Sequence, residues 1–284
     1  MNDYLMGQCD LEGADSWTVA VECAALGDQT MLADLKAGLK PAKVLCLLYL
    51  FGSDVNRWDR VVIKAKLKET KMEEWLYPGA KSSVHGSSYG MGIPTMISTV
   101  LKFSMSDLPL DLGTTKPIVL TTDQARKLQD AFFSRYPGVK LWHAKEARNL
   151  LTHGYVTTSA GHTRRFYGRK AVWKKGAKVV DHDTLKEALA SKPQFWTTRA
   201  TKMALLRLWL DPENRREDGT LRVEPLICVH DSLLAQWRKE DDAFARAKMK
   251  LWFDNEIEVA GIKLTIPADG QVSTDWSMKP SEKL

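Results

Sequence analysis

Stretches with the hydrophobic spacing of helices alternate along this chain with stretches that have the alternation of strands. The apolar run at 42–51 is typical of a buried helix or strand, and its spacing alone does not decide between them. Residues 121–154 predict two consecutive helices. Thr121 or Thr122 offers an N-cap for the first, and a Tyr-Pro-Gly break separates it from the second, which ends near Gly154.

Two further segments predict β-hairpins. Residues 155–168 alternate polar and apolar side chains and turn at Gly161. Residues 226–237 place two apolar runs on either side of a short polar turn. The segment 197–210, which lies between the two hairpins, has the apolar spacing of an amphipathic helix. Helices and hairpins in one chain indicate a mixed α and β fold.

The composition excludes several classes of protein. Hydrophobic residues make up 44% of the 284 residues and charged residues 27%, as in an ordinary globular protein. No apolar run approaches the roughly 20 residues of a membrane span, and the first residues lack the pattern of a signal peptide. The four cysteines form no Cys-x-x-Cys pair, which disfavours a zinc site and indicates reduced thiols. We therefore expect a cytoplasmic protein with no membrane partner.

The positive charge is concentrated in one segment. The net charge is +6, and no acid interrupts the stretch 164–178. Its cations are Arg164, Arg165, Arg169, Lys170, Lys174, Lys175 and Lys178, and its aromatic residues are Phe166, Tyr167 and Trp173. Cations interleaved with aromatic rings suit phosphate contact combined with base stacking. A solvated basic loop explains the same residues equally well, so the run alone decides nothing.

Two aspartates occupy positions at which their carboxylates could bind a metal ion. Asp10 lies near the N-terminus, and Asp231 lies in the polar turn of the hairpin at 226–237. A carboxylate at a strand end is held by rigid backbone, and two of them can hold a pair of metal ions about 3.5–4 Å apart. Taken singly, each aspartate is more typical of a turn than of a metal site, and the sequence does not show that the two meet.

The stretch KSSVHGSSYGMG, residues 81–92, places three polar side chains at steps of four. On an α-helix such steps drift by only about 40° each, so Lys81, His85 and Tyr89 share one face. A cation at one end and an aromatic ring at the other suit a nucleotide, with phosphates beside the lysine and a sugar or base beside the tyrosine. Gly90 is suited to end this helix in a left-handed conformation.

In combination and in this order, these segments resemble the polymerase domain of family-A DNA polymerases, the DNA polymerase I family, and especially its phage members. Residues 10–28 resemble motif A, residues 81–92 motif B and residues 229–232 motif C. The supporting segments are FFSRYPGVKLW at 132–142, GYVTTSAGHTRRF at 154–166, PQFWTTRATKMALLRLW at 193–209 and IPADGQVSTDWSMKP at 266–280. The resemblance covers nearly the whole chain.

The resemblance implies an α+β fold, the right-hand polymerase fold. Its palm is an antiparallel sheet with helices, and its fingers are mainly helical. Residues 1–30 and 191–284 correspond to the palm, and residues 31–190 to the fingers. Only nine residues precede Asp10, so we expect the thumb to be absent from this chain. The palm sheet would then expose an edge, and we expect a second polypeptide to supply the thumb and the remaining palm strands, with an exonuclease as an optional addition.

The implied activity is template-directed DNA synthesis, in which a nucleotide passes from a dNTP to the 3′-hydroxyl of a primer. The resemblance implies that Asp10, Asp231 and the backbone carbonyl of Leu11 bind two Mg²⁺ ions, for which Mn²⁺ is a substitute. It also implies that Lys81 neutralises triphosphate charge in the transition state. The partners implied are primer-template DNA and a dNTP. A phage-encoded enzyme would act in the cytoplasm of its bacterial host.

The resemblance assigns roles to further residues. His85 corresponds to a side chain that contacts the sugar, and Tyr89 with Gly90 lies near the template base and the incoming base. Asp15 stands in the place of a glutamate that excludes the ribose 2′-hydroxyl. The expected DNA contacts are Gln194 and His230 at the primer terminus and minor groove, and Arg164 and Arg165 elsewhere on the nucleic acid.

Several positions depart from the family pattern. Tyr77 stands where the family has an arginine one turn before the motif B lysine, and Trp17 replaces an arginine of motif A. The missing triphosphate contact would then come from Arg57, Arg60 or a partner.

Motif C ends in Ser232 where a glutamate is usual, and a His-Asp-Ser sequence is typical of single-subunit RNA polymerases. This leaves an RNA-polymerase-like enzyme as an alternative, although Asp15 argues against it. A catalytically inactive, nucleic-acid-binding replication subunit is a second alternative. A metal-dependent nuclease is a third, but it offers no purpose for the helix at 81–92.

Overall fold

The computed structural model describes residues 3–105, 117–168, 170–278 and 281–284. The chain divides into two units, one formed by residues 1–18 with 193–284 and the other by residues 19–192. Among the described residues, no helix is both long and apolar enough to cross a lipid bilayer.

Ten α-helices and eleven β-strands follow one another within the described ranges. The helices are α1 (Ala14–Ala24), α2 (Thr30–Lys36), α3 (Pro41–Phe51), α4 (Arg60–Glu69), α5 (Leu76–Ser88), α6 (Ile93–Met105), α7 (Thr122–Arg135), α8 (Gly138–His153), α9 (His182–Leu210) and α10 (Asp242–Phe253). The strands are β1 (Tyr4–Leu11), β2 (Tyr155–Thr157), β3 (Thr163–Arg165), β4 (Ala171–Lys174), β5 (Ala177–Val180), β6 (Val223–Val229), β7 (Ser232–Arg238), β8 (Glu256–Val259), β9 (Ile262–Thr265), β10 (Ala268–Ser273) and β11 (Glu282–Lys283).

The first unit is built on a five-stranded antiparallel sheet with the strand order β11-β10-β1-β7-β6. Strand β1 lies between β7 and β10, although both of these come more than 200 residues later in the chain. Helix α10 packs against β1, β7 and β10. The predicted hairpin at 226–237 is confirmed as β6 and β7, and their turn consists of His230 and Asp231.

A close approach between two strands fixes the position of β1. Gly7 on β1 lies under the buried indole of Trp237 on β7, and a Cβ atom at residue 7 would lie only 2.0 Å from a ring carbon. The indole cannot easily move away, because its Nε1–H donates a hydrogen bond of 3.0 Å to Asp242. A glycine is therefore required at this point of the sheet.

The second unit has a helical core in which the apolar run at 42–51 is a helix. Pro41 opens helix α3 at a first-turn position, and Val44, Leu45 and Leu47 are fully buried against helices α5 and α7. The two helices predicted in 121–154 are confirmed as α7 and α8. A capping box between Thr121 and Gln124 begins α7, which settles the N-cap, and Gly154 ends α8 in a left-handed conformation.

Two clusters of buried charge stabilise the second unit. The carboxylate of Asp34 accepts hydrogen bonds from Arg135, from Arg60 at 3.0 Å and from the hydroxyl of Tyr136 at 3.1 Å. Lys192 on α9 lies 2.7 Å from the buried Glu146 on α8 and 3.8 Å from the buried Glu22 on α1. Burial of charges without such partners would be strongly unfavourable.

Two short hairpins complete the second unit. Strands β2 and β3 confirm the hairpin predicted at 155–168, with Gly161 in a left-handed turn. Strands β4 and β5 form a second hairpin within the basic segment, which the sequence did not predict. One of the aromatic residues of that segment is not available for stacking, because Phe166 is buried in a core cluster with Leu150.

The contact beneath Trp237 yields a prediction about stability. Gly7→Ala must displace the indole ring, and we expect it to lower the free energy of unfolding by about 1–3 kcal/mol. Chemical denaturation measures this change. Gly168→Ala is the matched control, because no atom lies within 4 Å of a Cβ at residue 168, and we expect it to leave stability unchanged. Equal stability of the two variants would contradict the close packing of β1 on β7.

Candidate active site

The sheet of the first unit brings together the two aspartates that the sequence singled out. Asp10 is the penultimate residue of β1 and pairs in register with Ser232, the first residue of β7. The backbone N–H of Leu11 donates a hydrogen bond of 3.1 Å to the backbone carbonyl of Asp231. The end of β1 is thereby fixed to the β6–β7 turn, and the two carboxyl groups are within hydrogen-bonding distance of each other.

The proximity of Asp231 changes the protonation of Asp10. Partial desolvation, the charge of Asp231 and a hydrogen bond with Asp231 raise the pKa of Asp10 to about 7, although part of the Asp10 side chain reaches solvent. The N–H of Leu11 acts in the opposite direction but does not offset these effects. Near neutral pH, and with no cation bound, Asp10 therefore holds a proton for part of the time.

A shared proton and a bound cation are the two ways in which such a pair relieves its repulsion. The donors here are carboxylate and backbone oxygens, which suit Mg²⁺. Within the described parts of the chain, no group of three or more His, Cys, Asp or Glu side chains could hold a metal ion. A cation at this pair would therefore take its other ligands from backbone, water or substrate phosphate, as Mg²⁺ commonly does.

Two neighbours of the pair limit which other groups can take part in chemistry. The thiol of Cys9 is buried, and desolvation raises its pKa to about 12, so it stays protonated. Asp269 lies opposite Asp10 on β10, a proximity that the sequence did not reveal. Its carboxylate accepts a hydrogen bond from the N–H of Gly270 and lies 3.8 Å from Lys283. These contacts engage the carboxylate of Asp269 with β10 and β11.

The β6–β7 turn carries two of the other predicted residues. His230 is exposed and has a positive φ of 53°, which is uncommon for a residue with a side chain and is a form of strain that often accompanies function. Ser232 stands where the family has a glutamate. Its hydroxyl donates a 3.1 Å hydrogen bond to the carbonyl of Val229, so this residue closes the hairpin.

Two further predicted residues of the first unit lie on helices α1 and α9, which meet at Thr197. Asp15 lies in the first turn of α1, and its carboxylate is 3.5 Å from the hydroxyl of Thr197 on α9. Gln194 is exposed less than one turn earlier on the same helix. Trp17, which occupies the place of a family arginine, is buried.

The predicted nucleotide-binding residues lie on α5 in the second unit. Lys81 and His85 are exposed, and the rings of His85 and Tyr89 meet edge to face at 5.0 Å. The predicted helix end is confirmed, because Gly90 has a φ of +74°. The N–H of Met91 and the N–H of Gly90 then bond back to two carbonyls of the last turn, which is a Schellman motif.

The structure distinguishes between the two arginines considered as substitutes at the position of Tyr77. Arg60 donates a 3.0 Å hydrogen bond to the buried Asp34, so its guanidinium is already committed. Arg57 is almost fully exposed, and its ion pair with Asp54 spans 3.9 Å. Of the two, Arg57 is the one whose charge is accessible to a ligand.

The two basic residues of the first hairpin are also exposed. Arg164 on β3 forms an ion pair of 3.2 Å with Glu187, and Arg165 lies over the ring of Tyr155. The predicted site residues thus form one group around Asp10 in the first unit and two groups, on α5 and on β3, in the second.

Comparison with known families identifies the chain. The model of DNA polymerase family A matches residues 68–278, which is more than half of the sequence. The chain belongs to DNA polymerase family A. The matched range contains the helix at 81–92 and Asp231, whereas Asp10 lies before it, so the position of Asp10 in the site depends on the sheet geometry described above.

A solved structure shares the fold. The polymerase domain of Pol1 from M. smegmatis, in complex with DNA primer-template and dNTP, superposes with a TM-score of 0.69 at 15% sequence identity. The match covers 97% of this chain and 41% of that one, so this family-A chain spans about two-fifths of the length of its structural relative. The expected α+β fold with an antiparallel sheet is confirmed. No curated protein matches the sequence.

The raised pKa of Asp10 predicts how its contribution to stability depends on pH. Because the group binds its proton more tightly in the folded state, its contribution falls as the pH rises from about 4, the usual pKa of an aspartate, to about 7. Asp10→Asn removes the repulsion. We expect the melting temperature of this variant, relative to that of the wild-type protein, to be higher at pH 8 than at pH 4 in metal-free buffer.

A second variant tests the cause of this effect. Asp231→Asn removes the neighbouring charge, and we expect it to lower the pKa of Asp10, as measured by NMR titration of the carboxyl carbon. An unchanged pKa would contradict the coupling between the two carboxyl groups.

Proposed function

We propose that this chain is the catalytic palm-and-fingers portion of a DNA-directed DNA polymerase. It transfers a nucleotide from a dNTP to the 3′-hydroxyl of a primer paired with template DNA. The observation that carries the proposal is the apposition of Asp10 and Asp231 at adjacent strand ends in a member of this family. Residues 1–30 and 191–284 form the palm in this proposal, and residues 31–190 form the fingers.

Asp10, Asp231 and the backbone carbonyl of Leu11 are the groups that would hold two divalent cations, Mg²⁺ or its substitute Mn²⁺. When bound, such cations would supply Lewis acidity towards the primer hydroxyl and the leaving pyrophosphate. The repulsion that raises the pKa of Asp10 supports this role, because a pair of carboxylates at close range gains most from a cation.

The residues on α5 bind and orient the nucleotide in this proposal. Lys81 neutralises charge on the triphosphate, His85 contacts the sugar, and Tyr89 with Gly90 borders the base pair. The exposure of Lys81 and His85 and the edge-to-face contact of His85 with Tyr89 support these roles. Asp15 excludes the ribose 2′-hydroxyl by occupying its space.

The DNA contacts of the proposal involve four exposed side chains. Gln194 and His230 contact the primer terminus and the minor groove, and Arg164 and Arg165 contact the nucleic acid through phosphate. The exposure and positive charge of Arg164 and Arg165 support their role as phosphate contacts. The strained backbone of His230 supports a functional role for the β6–β7 turn.

A second polypeptide is part of the proposal, and it supplies the thumb and further palm strands, with an exonuclease as an optional addition. Strand β6 is an edge of the sheet, and Ile227 and Val229 on it are exposed. An apolar edge strand of this kind is a template for pairing with another chain. We further propose that the enzyme is phage-encoded and acts in the cytoplasm of a bacterial host.

Two alternatives remain as competing proposals. The His-Asp-Ser sequence of the β6–β7 turn favours an RNA-polymerase-like enzyme, and the nucleotide preference distinguishes it from a DNA polymerase. A catalytically inactive nucleic-acid-binding subunit is the second alternative. Such a subunit would bind DNA but would have no need for the carboxylates of Asp10 and Asp231.

Substitution of the two aspartates tests the proposal. Asp10→Asn and Asp231→Asn each remove a ligand, and we expect primer extension to fall by at least about 10³-fold while DNA binding stays near the wild-type level. Extension is measured with Mg²⁺ and with Mn²⁺, and Mn²⁺ binding is measured separately by electron paramagnetic resonance. Asp269→Asn is the matched control, because the carboxylate of Asp269 lies on the neighbouring strand β10. We expect this variant to retain primer extension and DNA binding.

The same assays separate the alternatives. If both Asn variants bind Mn²⁺ and extend primers like the wild-type protein, the two-carboxylate site is wrong. If the wild-type chain binds DNA but neither Mn²⁺ nor dNTP, the inactive subunit is favoured. Extension of a primed template by the chain alone would contradict the need for a second polypeptide.

The shorter acid at position 15 yields a separate prediction. Asp is one methylene shorter than Glu, so the space of the 2′-hydroxyl is less completely filled. We expect Asp15→Glu to raise the preference for dNTP over rNTP by about 10-fold, measured as the ratio of incorporation efficiencies. Glu12→Asp is the control, because Glu12 is an exposed acid just before α1. The prediction is wrong if the wild-type preference is already that of an ordinary DNA polymerase and Asp15→Glu leaves it unchanged.

A further inference from the structure

The hairpin formed by β4 and β5 has an anchored base and an exposed tip. At the base, Val180 packs against a core cluster that includes Leu150 and Phe166. At the tip, Lys175 and Gly176 both have positive φ angles, 49° and 77°, as two-residue hairpin turns often require. Residues 173–178 are exposed. The hairpin therefore projects its tip while its base is held in place.

Two aromatic rings are exposed on and beside this hairpin. Tyr167 is 89% exposed, and Trp173 is 75% exposed. Trp173 pairs in register with Lys178 on the facing strand, so these side chains share one face of the ribbon. A large ring beside an ammonium group presents a flat apolar surface and a positive charge to the same ligand.

The positive charge of this surface is not neutralised by the described parts of the chain. Arg164 has Glu187 as a partner, whereas none of the ion pairs between described residues involves Lys174, Lys175 or Lys178. Exposed cations that lack local acids create a positive potential that attracts a polyanion.

The first hairpin carries a concavity of about 560 Å³ that is bordered by Tyr167. Its lining includes Tyr155, His162, Arg165 and Tyr167. The guanidinium of Arg165 lies 5.3 Å from the centre of the Tyr155 ring. This volume falls within the range of sites that hold small organic ligands, so it is large enough for one nucleotide unit.

The two hairpins are fixed to the same point of the fold. The N–H of Phe166 donates a 3.1 Å hydrogen bond to the carbonyl of Gly154, at the end of α8. The ammonium group of Lys170 lies directly against Gly154, 2.5 Å from where a Cβ atom would be. The carbonyl of Lys170 in turn accepts a hydrogen bond from the N–H of Asp181, just after β5. The two hairpins therefore share one anchor, and we name the exposed side chains of residues 155–168 and 170–180 the hairpin surface.

We propose that the hairpin surface binds an unpaired DNA strand, with bases stacked on Tyr167 and Trp173 and phosphates held by the surrounding cations. In a duplex, the faces of the bases are stacked on one another and are not accessible to these rings, whereas in an unpaired strand they are free. The inference rests on the proposed function in taking DNA as the polymer. In a polymerase complex, the unpaired strand is the template ahead of the primer.

Binding of oligothymidylate to the whole chain tests the inference without requiring catalysis. We expect the double variant Tyr167→Ala/Trp173→Ala to bind at least about 10-fold more weakly than the wild-type protein, measured by fluorescence anisotropy of a labelled oligonucleotide. Tyr167→Phe/Trp173→Phe keeps both rings, and we expect it to restore binding. Trp209→Ala is the matched control, because Trp209 is an exposed tryptophan of the first unit.

Salt dependence separates the contribution of the lysines from that of the rings. We expect Lys174→Gln/Lys178→Gln to reduce the slope of log affinity against log salt by about 1.4, which is the value for two phosphate contacts on a single strand. Lys239→Gln, in the first unit, should leave the slope unchanged. Circular dichroism of each variant verifies that it is folded.

Three results would overturn the inference. They are wild-type affinity in the double alanine variant, equal affinity for an abasic oligonucleotide, and equal affinity for a blunt duplex. The first two would mean that only charge is recognised, and the third that unpaired strands are not selected. Weakened oligothymidylate binding by the double alanine variant of a chain that binds neither Mn²⁺ nor dNTP would support the hairpin surface and count against the polymerase. Unchanged binding by that variant of a chain that binds both Mn²⁺ and dNTP would do the reverse.

Discussion

The repulsion between two carboxyl groups at the end of β1 is the constraint around which the first unit is arranged. Asp10 and Asp231 would separate in a flexible chain, and it is the pairing of β1 with β7 that prevents this. The bond from Leu11 to the backbone of Asp231 fixes the turn, and the contact of Gly7 with Trp237 fixes the strand. The sheet thus provides the free energy that holds the two groups at close range.

In the second unit, helix α5 is packed closely along one face. The inner face of α5 consists of small residues, and even a Cβ at Gly79 or Gly86 would contact Leu120 or Met91 closely. The helix is therefore packed tightly on one side, while Lys81 and His85 stay exposed on the other. The ion pairs of Asp34 with Arg135 and of Lys192 with Glu146 join other helices of the same unit.

Local signals in the sequence were sufficient for α7, α8 and the β2–β3 hairpin, but they left many other helices and strands without a prediction. Thr121 and Gly154 mark helix ends by capping chemistry, and Gly161 marks a hairpin turn, because each of these residues acts on its immediate neighbours. The sequence did not predict the β4–β5 hairpin. Its strands are short, their polar–apolar alternation is interrupted by many charged residues, and Gly176 is the one residue there that indicates a turn. Phe166 was grouped with exposed rings because sequence position alone does not reveal its contact with Leu150.

The site was predictable only through resemblance. Spacing identified Lys81, His85 and Tyr89 as one face of a helix, because they lie within three turns. The apposition of Asp10 and Asp231 depends on sheet register between distant strands, for which a single sequence carries no local signal. Asp269 was missed for the same reason, since it reaches Asp10 only through the pairing of β10 with β1.

The order of the strands also has a consequence for how the chain reaches its folded state. Strand β1 is synthesised first, but both of its sheet partners lie beyond the entire second unit. Closing a loop of that length carries a large entropic cost unless the intervening residues are already compact. We therefore expect the helical unit to fold early and the sheet to close last. Until then, the apolar residues of β1 remain open to wrong partners, and a nascent chain would benefit from a chaperone at that stage.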